Sequence, residues 1–420
     1  MKKIKGLKCK ECGQEVPPIA KHVCEFCFGP LEVVYDYDSI RKTISREKIA
    51  ERARTLWRYW ELLPVESTEV LSLNEGFTPF WKSRNLGKVL GLKNLYIKND
   101  SVNPTFSFKD RVVSVALTRS RELGFNVVAC ASTGNLAGAV AAYGAVGGFK
   151  TFVFIPADLE AGKIIGAGIY DPIIVGIEGN YDQVNRLCAE IADLFQWAFV
   201  NVNIRPYYAE GSKTLGFEVA EQLNWRAPDH VIVPVASGSL LTKIYKGLWE
   251  FHHLGLIPEL HTKLSAAQAQ GCAPVVTAIK EKSDIIKPVV PKTIAKSIAI
   301  GNPADGYYAA KTVLKSGGLG ECANDEEIVE GIRLLAKTEG VFTETAGGTT
   351  VAVLKKLVES GKISADEVVV AYITGNGFKT QESVQSRISK PHIIQASLED
   401  FRKLYRELVQ SNKVQAVGSI

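Results

Sequence analysis

Lys109 stands in the string Asn103-Pro104-Thr105-Phe106-Ser107-Phe108-Lys109-Asp110-Arg111. Pro104 forces an extended approach, and Ser107 is suited to cap a helix that the pattern carries through Leu123. An amine in the first turn of a helix faces the positive end of the dipole, which favours its neutral form. A neutral amine suits imine formation, although the same spacing serves a solvated lysine equally well. Two further segments open a helix with small residues: Ala131-Ser132-Thr133-Gly134-Asn135-Leu136-Ala137-Gly138 and Pro234-Val235-Ala236-Ser237-Gly238-Ser239-Leu240. Backbone N–H groups gathered at such a point accept an anion such as phosphate. Each turn alone is also an ordinary strand-to-helix connection. A second chemistry is written at the start of the chain, where Cys9, Cys12, Cys24 and Cys27 form two C-x-x-C pairs. Four thiolates surround a tetrahedral Zn²⁺ at about 2.3 Å each, leaving no position open for catalysis. The alternatives are two redox pairs or four unbound thiols, and no βαβ pattern surrounds either pair. Gly13 and Gly29 follow the pairs, where a tight turn favours φ > 0.

These residues need a scaffold, and the hydrophobic pattern supplies one. Apolar runs at Leu95–Lys98, Val127–Ala131, Thr151–Ile155, Pro172–Gly176, Ala198–Val202, Val231–Val235 and Val368–Ile373 read as strands. Helical patterns fill Val112–Leu123, Leu136–Val146, Asp182–Phe195, Thr214–Leu223, Leu240–Phe251 and Val351–Val358. Strands apolar on both faces and joined by helices predict an α/β fold with parallel sheets. Ligands in such folds sit beyond the carboxyl ends of the strands, where the two small-residue turns fall. Residues 40–62 read as helical, and Leu31–Tyr37 as a strand closing a cysteine ribbon.

Composition narrows the class. The 420 residues carry 50 Lys+Arg against 45 Asp+Glu, a net charge of +5 without a basic block, which argues against a nucleic-acid partner. No apolar run approaches the length of a membrane span, and no apolar stretch follows Met1-Lys2-Lys3-Ile4-Lys5, so a cytoplasmic protein with no membrane partner is expected. The phosphate motifs of P-loop and Rossmann proteins fail. No G-x-G-x-x-G opens a helix, and Gly211-Ser212-Lys213-Thr214 lacks the leading glycine and spacer of a Walker sequence.

Taken together, the Asn103–Arg111 string, Ser132-Thr133-Gly134-Asn135, the Ser237–Leu240 turn and Thr374-Gly375-Asn376-Gly377 resemble the threonine synthases. These are fold type II enzymes of pyridoxal 5′-phosphate (PLP), the tryptophan synthase β family. The cysteine element, with Cys27-Phe28-Gly29-Pro30-Leu31-Glu32-Val33-Val34-Tyr35 behind it, resembles the ribbon-bearing variant. The resemblance implies that Lys109 forms the Schiff base with PLP and shuttles protons. It implies that Asn135 meets the cofactor's 3′-hydroxyl, that Ser237, Gly238, Ser239 and Leu240 cradle its phosphate, and that Thr374 meets its pyridine nitrogen. Ser132, Thr133, Arg205 and Lys213 are implied at the substrate. The implied reaction takes O-phospho-L-homoserine and water to L-threonine and phosphate, in a homodimer. Phe106 stands where glycine is common in that family, and Arg205 sits earlier than the usual arginine.

The implied architecture is two parallel-sheet α/β domains behind a small zinc ribbon. The expected divisions are 1–38 for the ribbon, 39–93 for an arm, 94–205 for a smaller domain with Lys109, 206–390 for a larger one with Thr374, and 391–420 for a helical tail. A serine or threonine dehydratase, a β-replacement synthase and a catalytically retired binding protein are the competing functions. Glu344-Thr345-Ala346-Gly347-Gly348 reads equally as site lining or helix cap.

Overall fold

A computed structural model describes residues 3–132, 134–159, 161–179 and 181–411. Thr133, expected at the substrate, lies outside the described residues. The chain divides into the units Met1–Ser383 and Val384–Ile420. The second contains the helix Leu398–Gln410, whose Ser397 side chain caps Asp400 N. No helix among the described residues is long and apolar enough to cross a membrane.

Three sheets organise the first unit. The amino-terminal one is antiparallel, in the order Glu15–Val16, Ile4–Cys9, Leu31–Tyr35. A six-stranded sheet runs Gly320–Ala323, Lys263–Ala269, His230–Pro234, Val368–Ile373, Asn94–Asn99, Phe80–Lys82. All its neighbours are parallel except the last pair. A four-stranded parallel sheet runs Ile173–Ile177, Lys150–Pro156, Val127–Ala131, Ala198–Phe199. His230–Pro234 is buried throughout and Val368–Ile373 nearly so, as strands covered on both faces must be.

The structure departs from the sequence reading in places with clear causes. Asn94–Asn99 was expected within the smaller domain, yet it pairs in register with Val368–Ile373 of the six-stranded sheet. The Lys109 segment therefore enters from the larger sheet. The strand expected over Ala198–Val202 stops at Phe199, because Asn203 Oδ1 takes the Phe199 N–H at 2.8 Å and turns the chain. Lys263–Ala269 escapes the hydrophobic pattern because its sequence, Lys-Leu-Ser-Ala-Ala-Gln-Ala, has no β-branched apolar residue. Residues 40–62 hold short pieces rather than one helix: Tyr37–Arg41, Arg46–Ala50 and the 3₁₀ stretch Leu56–Leu62.

The helix Lys109–Glu122 is buried from Asp110 to Ser120. It is tied to both flanking elements by charges withdrawn from water. Arg111 Nε meets Asp100 Oδ2 at 2.6 Å, its Nη1 pairs with Glu218, and Lys98 Nζ meets Glu218 Oε2 at 2.6 Å. Thr78 Oγ1 donates to Asp100 at 2.6 Å. The flanking cations hold the Glu218 carboxyl at about 2 against the upward pull of burial. This cluster fixes the start of the Lys109 helix against the Asn94–Asn99 strand and the helix Lys213–Gln222.

Candidate active site

A cavity of about 270 Å³ opens at the carboxyl ends of three strands. Ser132 follows Val127–Ala131, Ser237–Leu240 follows His230–Pro234, and Thr374 follows Val368–Ile373; all of them line it, with Lys109 and Asn135.

Lys109 is the first residue of its helix, and Phe108 rather than Ser107 occupies the cap position. Phe108 N donates to Thr374 O at 3.0 Å, and Ser107 bridges Gly375. The main chain of the lysine loop is thus fastened to the turn that carries Thr374, while Ser107 Oγ only receives the Lys109 N–H at 3.4 Å. Lys109 Nζ donates to Tyr208 Oη at 2.8 Å. Burial lowers the amine to about 8, with the Glu344 charge opposing. Burial also pushes the Tyr208 phenol up, so its hydroxyl stays intact at neutral pH. The ammonium donates to that oxygen, and the free amine accepts from its O–H.

Asn135 begins the helix Asn135–Gly147. Its Nδ2 donates to both Glu344 oxygens, at 2.9 and 3.0 Å, while its buried Oδ1 has no partner. Glu344 is the cap residue of Thr345–Glu359 but makes no side-chain capping bond, so the carboxylate serves the cavity wall. A Cβ on Gly375 would lie 2.3 Å from Glu344 Oε1, which explains the glycine. Ser132 Oγ receives the N–H groups of Gly134 at 3.0 Å and Ala137 at 2.9 Å, holding the turn closed.

Gly238 has φ +101°, and a Cβ there would meet Asp305 O at 2.6 Å. The glycine lets the backbone of Ser237–Leu240 fold into a cradle at the start of the helix Ser239–His253, whose first N–H groups lack intrahelical acceptors. Arg205 lines the same cavity and pairs with Asp305 at 2.6 Å. Lys213, expected at the substrate, does not line it. Its fully buried Nζ is engaged by Glu210 at 2.6 Å and Glu250 at 2.9 Å, a placement that leaves it no path to a ligand. The backbone cradle, the unpartnered Asn135 Oδ1 and an amine of lowered basicity together fit the phosphate, hydroxyl and aldehyde of PLP.

Tyr208, Glu344 and His22 also line the cavity. His22 lies between the cysteine pairs and is half-buried; burial and the Arg205 charge lower its basicity. In the ribbon itself, the four cysteine sulfurs lie within 4.8 Å of one another, with Cys9 and Cys27 at 3.4 Å and Cys12 and Cys24 at 3.7 Å. Gly13 has φ +77°, as its position after the first pair predicts. At the second pair the left-handed residue is Phe28, at φ +58°, not Gly29. Gly29 is needed for another reason, since a Cβ would sit 2.9 Å from Cys9 Sγ. Four thiols at this spacing fit a tetrahedral metal ion.

Comparison with known proteins agrees with this chemistry. The model of the pyridoxal-phosphate dependent enzyme family matches residues 71–375, and that of the NinF protein matches residues 8–32. A threonine synthase of Methanocaldococcus jannaschii is 41% identical over 96% of this chain and 99% of its own. One from Methanosarcina acetivorans is 40% identical over 94% and 98%. Among solved structures, a threonine deaminase from Solanum lycopersicum aligns with TM-score 0.61 at 21% identity, covering 74% of this chain and 88% of its own. An L-serine ammonia-lyase from Rhizomucor miehei aligns at 0.63 with 18% identity, over 74% and 98%. These two show the fold alone. The family model and the near full-length relatives go further: this chain belongs to the threonine synthases, among the PLP-dependent enzymes.

Proposed function

We propose that this enzyme converts O-phospho-L-homoserine and water to L-threonine and phosphate. The observation that carries the reading is one cavity joining a lysine of lowered basicity, a backbone phosphate cradle and a separate arginine. One phosphate belongs to the cofactor, and Arg205, which lines the cavity while sharing its charge with Asp305, is the cation for another.

PLP, when bound, supplies an electron sink for the charge that develops beside the substrate's Cα. Lys109 Nζ would hold the cofactor in the resting enzyme, then take the Cα proton and, once relieved of it, a Cβ proton, and the two protons return to Cγ and Cα as threonine forms. Tyr208 Oη holds that nitrogen within proton-transfer distance between the two removals. Asn135 orients the cofactor's 3′-hydroxyl, with Glu344 fixing the amide. Ser237, Gly238, Ser239 and Leu240 would hold the cofactor phosphate, and Thr374 would offer a neutral hydroxyl to the pyridine nitrogen. Ser132, with Thr133, orients the substrate carboxylate or phosphate. Arg205 pairs with the substrate phosphate, which leaves from Cγ before water adds at Cβ. The ribbon holds a structural Zn²⁺ through Cys9, Cys12, Cys24 and Cys27. The four- and six-stranded sheets are the cores of the two catalytic lobes, and the assembly is a homodimer.

Substrate profiling separates this from the dehydratase reading. O-Phospho-L-homoserine is expected to give threonine and phosphate in equal amounts. Release of 2-oxobutyrate or pyruvate from free threonine or serine, with none from the phosphorylated substrate, would favour a dehydratase.

A further inference from the structure

We propose that His22, carried by the four-cysteine ribbon, is a substrate-binding residue that grips the substrate's phosphate together with Arg205. The proposal rests on the phosphohomoserine reading above.

The ribbon is bound directly to catalytic elements. The helix Arg205–Glu210 lies between them: Arg205 and Tyr208 line the cavity, while Tyr207 and Glu210 hold the ribbon. Tyr207 Oη donates to Ile19 O at 2.9 Å, and Tyr35 Oη donates to Glu210 Oε2 at 2.9 Å. Glu32 pairs with Lys243, on the helix that follows the phosphate cradle. His22 is fixed by the same fold as the cysteines. Its carbonyl receives Leu31 N at 2.9 Å, and its neighbour Val23 bridges Pro30.

His22 borders the catalytic cavity and a crevice beside it that Arg205, Ser239 and Asp305 share. The crevice holds only about 30 Å³, too little for a phosphate, so a ligand meeting His22 must lie in the main cavity. Among the described residues that line this cavity, the cationic side chains are Lys109 and Arg205, with His22 as the other nitrogen donor of that kind. Lys109 is committed to the cofactor, and the Ser237–Leu240 backbone to the cofactor's phosphate. A second dianion in a closed site requires paired donors, and these fall to Arg205 and His22. An imidazole keeps a ring N–H donor in its neutral form, so the grip does not depend on protonation. The metal ribbon thereby becomes part of the substrate site.

The test compares wild-type, His22→Ala and His22→Gln holoenzymes, with zinc content and visible cofactor absorbance measured on each. His22→Ala should raise KM for O-phospho-L-homoserine about tenfold or more, the effect of losing a hydrogen bond to a charged group. The competitive inhibition constant of inorganic phosphate should rise in parallel, and kcat should change by less than about threefold. His22→Gln, which retains an N–H donor, should recover part of the loss. Unchanged KM and phosphate inhibition overturn the proposal, as does a fall in kcat alone that follows zinc loss. A wild-type enzyme that releases no phosphate would instead sink the functional reading. If His22→Ala does not fold, the wild-type holoenzyme still decides. Inorganic phosphate should slow diethylpyrocarbonate modification of His22, read by peptide mass spectrometry, and absence of protection counts against the assignment.

Discussion

Tyr208 and Lys109 are 99 positions apart in the chain, yet their polar atoms meet at 2.8 Å. Removing the phenol oxygen by Tyr208→Phe should lower kcat by about ten- to a hundredfold, less than the roughly 10²- to 10⁴-fold that a positioned acid–base group itself contributes. Cofactor content should stay at wild-type level, because Lys109 Nζ itself remains. A Tyr208→Phe enzyme with unchanged kcat would remove the tyrosine from the chemistry. The lysine carries its own pH signature. Its amine is protonated below about 8 and free above it. Uptake of PLP by the cofactor-free chain should therefore quicken as pH rises and level off above about 8. A rate still climbing toward pH 10 would mean an unperturbed lysine. Lys109, Asn135 and Ser237 stand in short local strings, Thr374 came with the resemblance, and all four line the cavity. Tyr208 and His22 were not legible in the sequence, because their contacts with the cavity exist only once distant segments meet, while Glu344, read equally as site lining or helix cap, proves to line the cavity. Lys213 was placed at the substrate by the resemblance alone, while Glu210 and Glu250 neutralise it in the interior.

The elements show where glycine is required and where the chain does without it. Gly238→Ala puts a side chain at φ +101° and 2.6 Å from Asp305 O, so the cradle must open. The expected result is weaker PLP retention on dialysis with little change in the fold; full retention would deny the turn its role. Phe106 adopts φ +64° and is exposed, with its main chain held by Asn103 and Asn376. The left-handed conformation explains why glycine suits this place in related chains. Phe106→Gly should raise unfolding stability by about 0.5–1 kcal/mol, the left-handed cost relieved less the extra chain entropy of glycine. Lower stability by calorimetry would show that the phenyl ring contributes packing the backbone argument omits. The sequence pattern located Val127–Ala131 and Val368–Ile373 to the residue because both are runs of buried apolar side chains. It missed Lys263–Ala269, whose small and polar residues take strand geometry from their parallel neighbours.

At the scale of the molecule, two polar clusters hold the site together. Arg111 sits at no measurable exposure between Asp100 and Glu218. Arg111→Met should cost about 3–5 kcal/mol, because it leaves buried carboxylates uncompensated. A smaller loss in denaturant titration would mean that water enters to replace the guanidinium. The ribbon is the second cluster. Replacing Cys9 and Cys12 with serine should abolish zinc binding by the four-cysteine cluster and loosen the ribbon while leaving the visible cofactor absorbance largely intact. Turnover should fall, since the Arg205–Glu210 helix loses its support from Tyr35 and Ile19. Cofactor lost together with zinc would mean that the ribbon holds the PLP site directly. If Lys109 drives threonine formation in this cavity, removing its amine must abolish the reaction. The measurement is phosphate release from O-phospho-L-homoserine, with threonine identified in the product, for the wild type and for Lys109→Ala. Threonine and phosphate from the wild type and neither from the variant is the predicted result. Equal turnover by both proteins, or none by a wild type saturated with PLP, would contradict it.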